Sequence, residues 1–354
     1  MSGVVRAPVR AAAPRWASAL PYPLRRVWAP ELYQGGRRTN DYFEGWYIKC
    51  VDGAEKHPIA FIPGVSHDAA GGTSHSFVQV VKPGGETTYL EYPLDAFSHD
   101  RRRFEVRVGP NVFSATGVEL DIDRDGIEVR GALDFGPRRP WPVTLAAPGI
   151  MGPFRYVPRM ECYHGVCSLD HSVGGTLTID GERVEFDRGR GYVEKDWGRS
   201  FPSSWVWAQS NHFDRPGISV SVSVAKIPWM GSSFVGFIAG VLIDGTLYRF
   251  TTYTGAKLTA FSSSECCARM TYADKHFRLD VEVDGAVPSA LKAPRHGRMV
   301  ARADESLGAT MRATLTRLSD GAVLLDDCGL FAGVEVMDQL GELEKGVWRA
   351  KASR

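Results

Sequence analysis

Hydrophobic and polar residues alternate with a period of two along most of this chain. The run ISVSVSV at residues 218–224 is the strictest case, with serines at one set of alternate positions and aliphatic residues at the other. Because strand side chains point alternately to opposite faces, this pattern predicts a half-buried β-strand. The alternation recurs at residues 104–108, 117–122, 126–135, 175–186 and 278–285.

Short turn sequences separate these segments. An Asp-Gly pair stands at residues 125–126, 180–181, 244–245 and 320–321. Such pairs tolerate the positive φ angles that tight two-residue hairpins require. No stretch shows a sustained helical period. The sequence therefore predicts a mainly β protein with antiparallel pairing.

The chain is long enough for two domains. At 354 residues it exceeds the usual size of a single core. The segment GRSFPSS at residues 198–204 interrupts the strand pattern with glycine and proline. We therefore predict a flexible N-terminal tail over residues 1–29, a first β-domain over residues 30–199 and a second over residues 200–354.

Composition excludes several classes of partner and site. Forty-two basic residues balance 41 acidic ones, which argues against a nucleic-acid partner. The longest apolar run, FVGFIAGVLI, is about half the length of a membrane-spanning helix. Six cysteines are too few for a disulfide scaffold, so we expect a reducing, cytoplasmic location. The oligomeric state and a transient contact with a membrane surface stay open.

An aromatic strand follows the domain boundary. In WVWAQSNHF, residues 205–213, one strand face carries Trp205, Trp207, Gln209 and Asn211, and His212 points to the other. Large aromatic rings beside side-chain amides suit neither an apolar core nor a solvated surface, because buried amides need partners. This face predicts the wall of a ligand cavity.

Five segments together resemble the tocopherol cyclase family and its bacterial relatives. They match in order and spacing between about residues 40 and 336, and they are YFEGWYIKC (42–50), HSFVQV (75–80), GERVEF (181–186), GYVEKDWGRSFP (191–202) and WVWAQSNHF (205–213). The resemblance implies two tandem antiparallel lipocalin-like β-barrel domains. It also implies a cofactor-independent and metal-free cyclisation of a prenylated hydroquinone, so the expected partner is a hydrophobic small molecule.

Two carboxylates in EKDWG are candidate proton donors. Glu194 and Asp196 share a strand face, where they lie close enough for one to remain protonated. A neutral carboxylic acid could protonate an alkene. The structural alternative is a salt-bridged corner in which Lys195 and Arg199 neutralise both. The resemblance implies that related enzymes can carry Asn at the position of Asp196, which favours Glu194 as the proton donor.

Glu44 and His75 are further candidates. Glu44 lies among the aromatic residues of YFEGWY, where it either faces a ligand or forms a structural ion pair, for instance with Lys195. His75 could relay a proton or bind a ligand hydroxyl group, although a lone histidine is more often structural. The residues expected to contact substrate are Tyr42, Trp46, Trp197, Trp205, Trp207, Gln209, Asn211 and His212.

Two further features of the sequence argue against a metal site and against nucleotide-dependent or hydrolase chemistry. The spacing of Cys162, His164, Cys167 and His171 matches no usual zinc site, so we expect no metal. The sequence also lacks a dinucleotide-binding fingerprint, a phosphate loop and a nucleophile elbow. Three functions remain: an acid-catalysed cyclase, a lipocalin-type carrier that binds a hydrophobic molecule without changing it, and an enzyme for another cyclisation, isomerisation or hydration of a polyene or polyketide.

Overall fold

The structure is a computed structural model, and it describes residues 4–6, 15–36, 41–68, 74–82, 87–264, 267–285, 289–338 and 340–352. The chain divides into two compact units. The N-terminal unit contains residues 8–201 and 292–301, and the C-terminal unit contains residues 1–7, 202–291 and 302–354. In the described ranges, no helix is long and apolar enough to cross a membrane.

The N-terminal unit is built on a 12-stranded sheet in which every described pair is antiparallel. Its strands follow the order β5-β4-β3-β2-β13-β11-β10-β9-β8-β7-β6, with β12 paired to β11. They are β2 (Tyr42–Val51), β3 (Ile59–His67), β4 (His75–Val81), β5 (Thr87–Pro93), β6 (Phe97–His99), β7 (Glu105–Val108), β8 (Asn111–Ser114), β9 (Gly117–Arg124), β10 (Ile127–Phe135), β11 (Cys162–Ile179), β12 (Glu182–Glu185) and β13 (Gly189–Gly198).

The C-terminal unit is built on an 11-stranded sheet. The order is β1-β17-β16-β15-β14-β23-β22-β20-β19-β18, with β21 paired to β22. The strands are β1 (Val4–Arg6), β14 (Trp205–Ser210), β15 (Ile218–Trp229), β16 (Ser232–Ile243), β17 (Thr246–Thr251), β18 (Lys257–Ser264), β19 (Cys267–Ala273), β20 (Phe277–Asp284), β21 (Ser289–Arg295), β22 (Arg298–Arg317) and β23 (Val323–Met337).

The predicted fold class is confirmed, and so is its turn chemistry. Both sheets are those of lipocalin-like β-barrels. Three Asp-Gly pairs adopt positive φ at both residues, the signature of a two-residue type I′ hairpin: residues 125–126, 180–181 and 244–245. Each pair joins two consecutive antiparallel strands: β9 to β10, β11 to β12 and β16 to β17.

Alternation places a hydrophobic core inside each unit. Trp46, Ile48, Val193 and Trp197 belong to the core of the N-terminal unit. The aliphatic positions of β15, from Ile218 to Val224, belong to the core of the C-terminal unit. Each strand places one set of alternate side chains in its core, as a period of two requires, and most residues of the other set are buried as well.

The helices depart from the sequence-based picture. The C-terminal helix α3 (Glu342–Ala352) was not expected, yet Leu343 and Val347 lie one turn apart and are both buried in the core of the C-terminal unit. Asp338 accepts hydrogen bonds from the backbone N–H groups of Glu342 and Leu343, which fixes the start of the helix.

Residues 15–29 fall in the segment for which we expected a flexible tail. They form the short helices α1 (Arg15–Ser18) and α2 (Tyr22–Arg25), and Ala17 is fully buried. Two single 3₁₀ turns lie elsewhere in the same unit, at Leu94–Ala96 and Gly152–Tyr156. The segment after α2 continues into Pro30–Gly35. The backbone of this segment contacts the buried ion pair of Glu44 and Lys195.

A paired set of glycines tests how closely β2, β3 and β4 pack. Gly45 and Gly64 are register partners on neighbouring strands. A Cβ atom at Gly64 would lie 2.5 Å from both the Glu44 carbonyl oxygen and a Phe77 ring carbon, whereas at Gly45 it would meet its nearest neighbour at 3.6 Å. We therefore expect Gly64→Ala to lower the free energy of unfolding by about 2 kcal/mol.

Gly45→Ala is the matched control and should change that free energy by less than about 0.5 kcal/mol. Chemical denaturation of both variants measures the difference. Equal effects of the two substitutions would contradict the described packing.

Candidate functional site

Strand β13 presents different chemistry on its two faces. It runs between β11 and β2, so its side chains have neighbours on both sides. Lys195 and Trp197 face the core, where the lysine ammonium lies 5.1 Å from the Trp197 ring centroid. Glu194 and Asp196 point to the opposite face of the sheet, as alternation predicts.

On that opposite face, an imidazole ring contacts both carboxylates. His164 stands directly across from Asp196 in the register of β11 and β13. Its Nδ1 atom lies 3.0 Å from Asp196 Oδ1, and its Nε2 atom lies 3.6 Å from Glu194 Oε2. The Tyr192 hydroxyl group donates a hydrogen bond of 2.6 Å to the same Glu194 oxygen. We call His164, Tyr192, Glu194 and Asp196 the carboxylate–histidine cluster.

The carboxylate–histidine cluster is mostly buried but keeps some contact with solvent. The side chain of Glu194 is almost fully buried, whereas those of His164 and Asp196 keep some solvent access. The Cys162 thiol donates to Asp196 Oδ1 at 3.7 Å. Burial and the charges of Asp196 and Glu161 raise the pKa of this thiol well above its usual range, so it stays protonated.

This arrangement suits proton transfer. If Nδ1–H donates to Asp196, the Nε2 lone pair faces Glu194 and can exchange a proton with it. His164, Glu194 and Asp196 each also offer a ligand atom within 4.8 Å of the other two, so these three residues could hold a metal ion. However, the carboxylates lie at opposite ring nitrogens, and a metal bound at one nitrogen would leave the other carboxylate on the far side of the ring. The geometry favours a chain of polar contacts, with a hydrogen bond between His164 and Asp196 and a contact of 3.6 Å between His164 and Glu194.

The opposite face of the same strands holds a buried ion pair. Lys195 Nζ lies 2.5 Å from Glu44 Oε1, and both side chains are fully excluded from solvent. Burial lowers the pKa of Lys195, and the attraction of Glu44 opposes that shift. The ammonium also donates to the carbonyl oxygens of Pro30 and Leu32, at 2.9 and 2.5 Å.

The carboxylate of Glu44 is equally well satisfied. It accepts hydrogen bonds from the backbone N–H groups of Gln34, at 2.8 and 2.9 Å, and of Gly35, at 3.0 Å. The Tyr42 hydroxyl group donates to it as well. Glu44 therefore takes the structural alternative that the sequence left open, the ion pair with Lys195. Its predicted catalytic role gains no support from these surroundings.

The aromatic residues around this pair already contact a cation. The Lys195 ammonium lies 4.4 Å from the Trp46 ring centroid, in addition to its contact with Trp197. Trp46 donates its indole N–H to the Glu31 carbonyl oxygen, and Trp197 stacks on Tyr163. Both tryptophans are buried against protein atoms. Substrate contact by Tyr42, Trp46 and Trp197 stays a prediction that their packing does not favour.

His75 lies away from the cluster. It is on β4, three strands from β13, which corresponds to about 14 Å across the sheet. Its Nε2 atom lies 2.6 Å from the Tyr89 hydroxyl oxygen. The structure does not bring His75 together with Glu194, and its predicted catalytic role remains untested.

The aromatic strand belongs to the C-terminal unit. Val206 and Ala208 of β14 face that unit's core, so Trp205, Trp207 and Gln209 share the opposite face, as predicted. All three are buried. Asn211 and His212 follow the strand, and the Asn211 side-chain oxygen lies 3.0 Å from His212 Nδ1.

Sequence reasoning missed two carboxylates on this face. The Trp205 indole donates a hydrogen bond of 2.6 Å to Glu335, which stands opposite Trp207 in the register. Glu305 on β22 is the register partner of Glu335 and is fully buried. Only the pairing of β14, β22 and β23 brings these residues together, and the sequence did not predict that pairing.

The suspected zinc pattern is split between the two faces of β11. Cys162 and His164 contact Asp196, whereas Cys167 belongs to the core. The register of β11 against β13 shifts between Val166 and His171, which changes the alternation there. His171 packs at 4.7 Å from the Phe135 ring in the core. These four residues do not converge on one point.

Comparison with known proteins decides the family. The sequence profile described as tocopherol cyclase-like matches residues 127–337, more than half of the chain. The chain belongs to the tocopherol cyclase-like family. The matched range contains the whole carboxylate–histidine cluster and the aromatic strand, and it leaves out Glu44 and His75.

Two curated relatives of this tocopherol cyclase-like protein come from plants. A probable chloroplastic tocopherol cyclase of Oryza sativa subsp. japonica is 30% identical over 118 residues, 32% of this chain and 25% of the relative. The chloroplastic tocopherol cyclase of Zea mays is 32% identical over 104 residues, 28% of this chain and 22% of the relative. The match thus spans about a quarter of the length of these relatives.

Solved structures share the fold of the tocopherol cyclase-like chain. CghA with Sch210972 superposes with a TM-score of 0.51 at 10% identity, covering 83% of this chain and 88% of that one. Kievitone hydratase from Nectria haematococca gives a TM-score of 0.51 at 11% identity, covering 94% and 97%. At such identities the likeness is one of fold.

The buried His171 predicts acid sensitivity in this tocopherol cyclase-like protein. Burial, with the nearby charge of Arg138, lowers the pKa of His171 to about 3. An unfolded histidine titrates near about 6.5. Between these values the unfolded state binds more protons, so the free energy of unfolding falls as the pH falls through that window.

We expect the wild type to lose about 2 kcal/mol more than His171→Gln between about pH 7 and pH 5. Urea unfolding of both proteins at the two pH values gives this difference directly. Parallel losses in the two proteins would show that the fold does not lower the pKa of His171.

Proposed function

We propose that this protein is a cofactor-independent cyclase of a prenylated hydroquinone or a similar hydrophobic polyene, with Glu194 as the proton donor. The observation that carries the proposal is the chain of contacts from Asp196 through His164 to Glu194, completed by Tyr192. The family supports a cyclase-like reaction, and the cluster offers residues that can perform it.

The first step needs an acid near an alkene. Glu194 is almost enclosed, and an enclosed carboxyl group is easier to keep neutral than an exposed one. A neutral Glu194 can donate its proton to His164 Nε2 in the resting site, or to a substrate alkene when one lies beside it. Protonation of a trisubstituted alkene leaves a tertiary carbocation and the Glu194 carboxylate.

The new carboxylate then requires stabilisation. The Tyr192 hydroxyl group already donates to Glu194 Oε2, so this hydrogen bond stabilises the carboxylate once its proton has moved to the alkene, while His164 stays neutral with Nε2 able to accept the phenol proton later. Asp196 holds the ring by its other nitrogen, so the imidazole does not need to reorient when charge develops. The cluster thereby lowers the energy of the charged intermediate.

Ring closure returns the proton. The phenol oxygen attacks the tertiary carbocation and forms the C–O bond, and the phenol proton passes to the Glu194 carboxylate, directly or through His164. Atoms and charge balance without an oxidant, reductant or cofactor. In D₂O the product should carry one solvent-derived deuterium, at the alkene carbon that was protonated.

The test is turnover of a prenylated hydroquinone by the purified full chain, followed by chromatography of the chromanol product. We expect Glu194→Gln to lower turnover at least about 100-fold, and His164→Gln by a similar factor, because both remove the proton donor system. Glu185→Gln, an exposed acid on β12, is the control and should retain wild-type turnover.

Three outcomes would overturn the proposal. Full turnover by Glu194→Gln would exclude this residue as the acid. Retention of unchanged hydroquinone by the wild type would identify a carrier. Loss of turnover after treatment with a chelator, and recovery with a divalent metal ion, would mean that His164, Glu194 and Asp196 hold a metal instead.

A further inference from the structure

The exposed large hydrophobic side chains of the N-terminal unit lie in only two neighbouring parts of the described chain. These are residues 16–28 and residues 145–156, and the side chains are Trp16 (44% exposed), Leu24 (55%), Leu145 (65%) and Tyr156 (47%). Scattered single hydrophobic residues are normal on a protein surface, but a contiguous group marks an interaction site.

Direct contacts link Trp16 to Trp28, Trp28 to Tyr156 and Tyr156 to the Leu145 backbone, and Leu24 lies four residues before Trp28. The Trp16 and Trp28 rings pack edge to face, with their centroids 5.0 Å apart. Trp28 contacts Tyr156 in the same way at 6.2 Å, and its indole N–H donates to the Tyr156 hydroxyl oxygen at 3.2 Å. The Tyr156 hydroxyl group in turn donates to the Leu145 carbonyl oxygen. We call Trp16, Leu24, Trp28, Leu145 and Tyr156 the aromatic patch.

Positive charge borders the patch. Arg25, next to Leu24, donates to the carbonyl oxygen of Arg101, which holds the loop of Arg101 and Arg102 beside α2. Both of these loop arginines are exposed, as is Arg159, three residues after Tyr156. Within the described residues, none of these three guanidinium groups has a carboxylate within ion-pair distance. Asp100 is the nearest acid in the loop, and its side chain is bonded to the loop backbone.

We propose that the aromatic patch docks on the surface of an anionic lipid bilayer. Tryptophan and tyrosine suit the boundary between headgroups and acyl chains, because each joins a large apolar ring to one polar group. Arginines at the rim complement anionic headgroups. A protein partner would need a surface of complementary shape. This patch instead combines leucine side chains, amphipathic aromatic rings and arginines that have no carboxylate partner in the described part of the chain, which suit the surface of a lipid bilayer. Docking requires no chemistry, so it does not depend on the proposed cyclisation.

The test is co-sedimentation of the full chain with two kinds of vesicle. One kind contains phosphatidylcholine mixed with phosphatidylglycerol, and the other contains phosphatidylcholine alone. We expect binding to the anionic vesicles, weaker binding to the neutral ones, and a loss of affinity at high salt. The double variant Leu24→Ser, Leu145→Ser should bind the anionic vesicles at least about tenfold more weakly.

The matched control is Leu318→Ser, Leu340→Ser, which removes two comparably exposed leucines from the C-terminal unit. It should bind like the wild type, and circular dichroism of both double variants checks that they fold. A third variant, Arg101→Ser, Arg102→Ser, should lose the preference for anionic vesicles.

The proposal fails if the wild type binds neither vesicle, or if the two leucine double variants bind equally. It also fails if the wild type is a dimer that the Leu24→Ser, Leu145→Ser variant converts to a monomer, because a second copy would then cover the patch. Vesicle binding is measured without substrate, so its failure and a failure of the cyclase assay are distinguishable.

Discussion

The buried ion pair between Glu44 and Lys195 organises the N-terminal unit. Two charges in a dry core cost free energy unless their hydrogen-bonding capacity is met, and here it is met by backbone groups of Pro30–Gly35. The pair connects β2 to β13 and holds the segment after α2 against both. It adds little net stability over a well-packed apolar core. It lies on the same face of β13 as Val193 and Trp197, the face that points into the core.

That orientation determines where the proposed proton donor lies. Since Lys195 and Trp197 are committed to the core, Glu194 and Asp196 must point to the opposite face, where β11 supplies His164. Two carboxylates on one strand thus meet an imidazole from the next. The carboxylates on the two faces have different partners. In the core, Glu44 is paired with the Lys195 ammonium and with backbone donors. On the opposite face, Glu194 and Asp196 contact His164, an imidazole, which is a group that can gain and lose a proton.

The sequence predicted the structural features that depend on local patterns of residues. The strands and the opposite orientations of Glu194 and Lys195 follow from a period of two, and three of the Asp-Gly turns follow from the positive φ angles that these residues tolerate. The sequence could not decide whether Glu44 faces a ligand or forms a structural ion pair. The segment Pro30–Gly35, whose backbone completes that ion pair, has no periodicity from which its position could be predicted. The sequence also discounted His164, which was considered only within a zinc pattern. Its partnership with Asp196 depends on the long-range register of β11 and β13. Glu305 and Glu335 were missed for the same reason.

The most direct test of this account is a double-mutant cycle on the buried pair, read as free energy of unfolding in denaturant. The account predicts that Lys195→Met costs about 3–5 kcal/mol, because it leaves the Glu44 carboxylate buried without its cation. Adding Glu44→Gln should restore part of that loss and give a coupling energy above about 1 kcal/mol. Costs for Lys195→Met and Glu44→Gln that add within about 0.5 kcal/mol would contradict the central role of the pair.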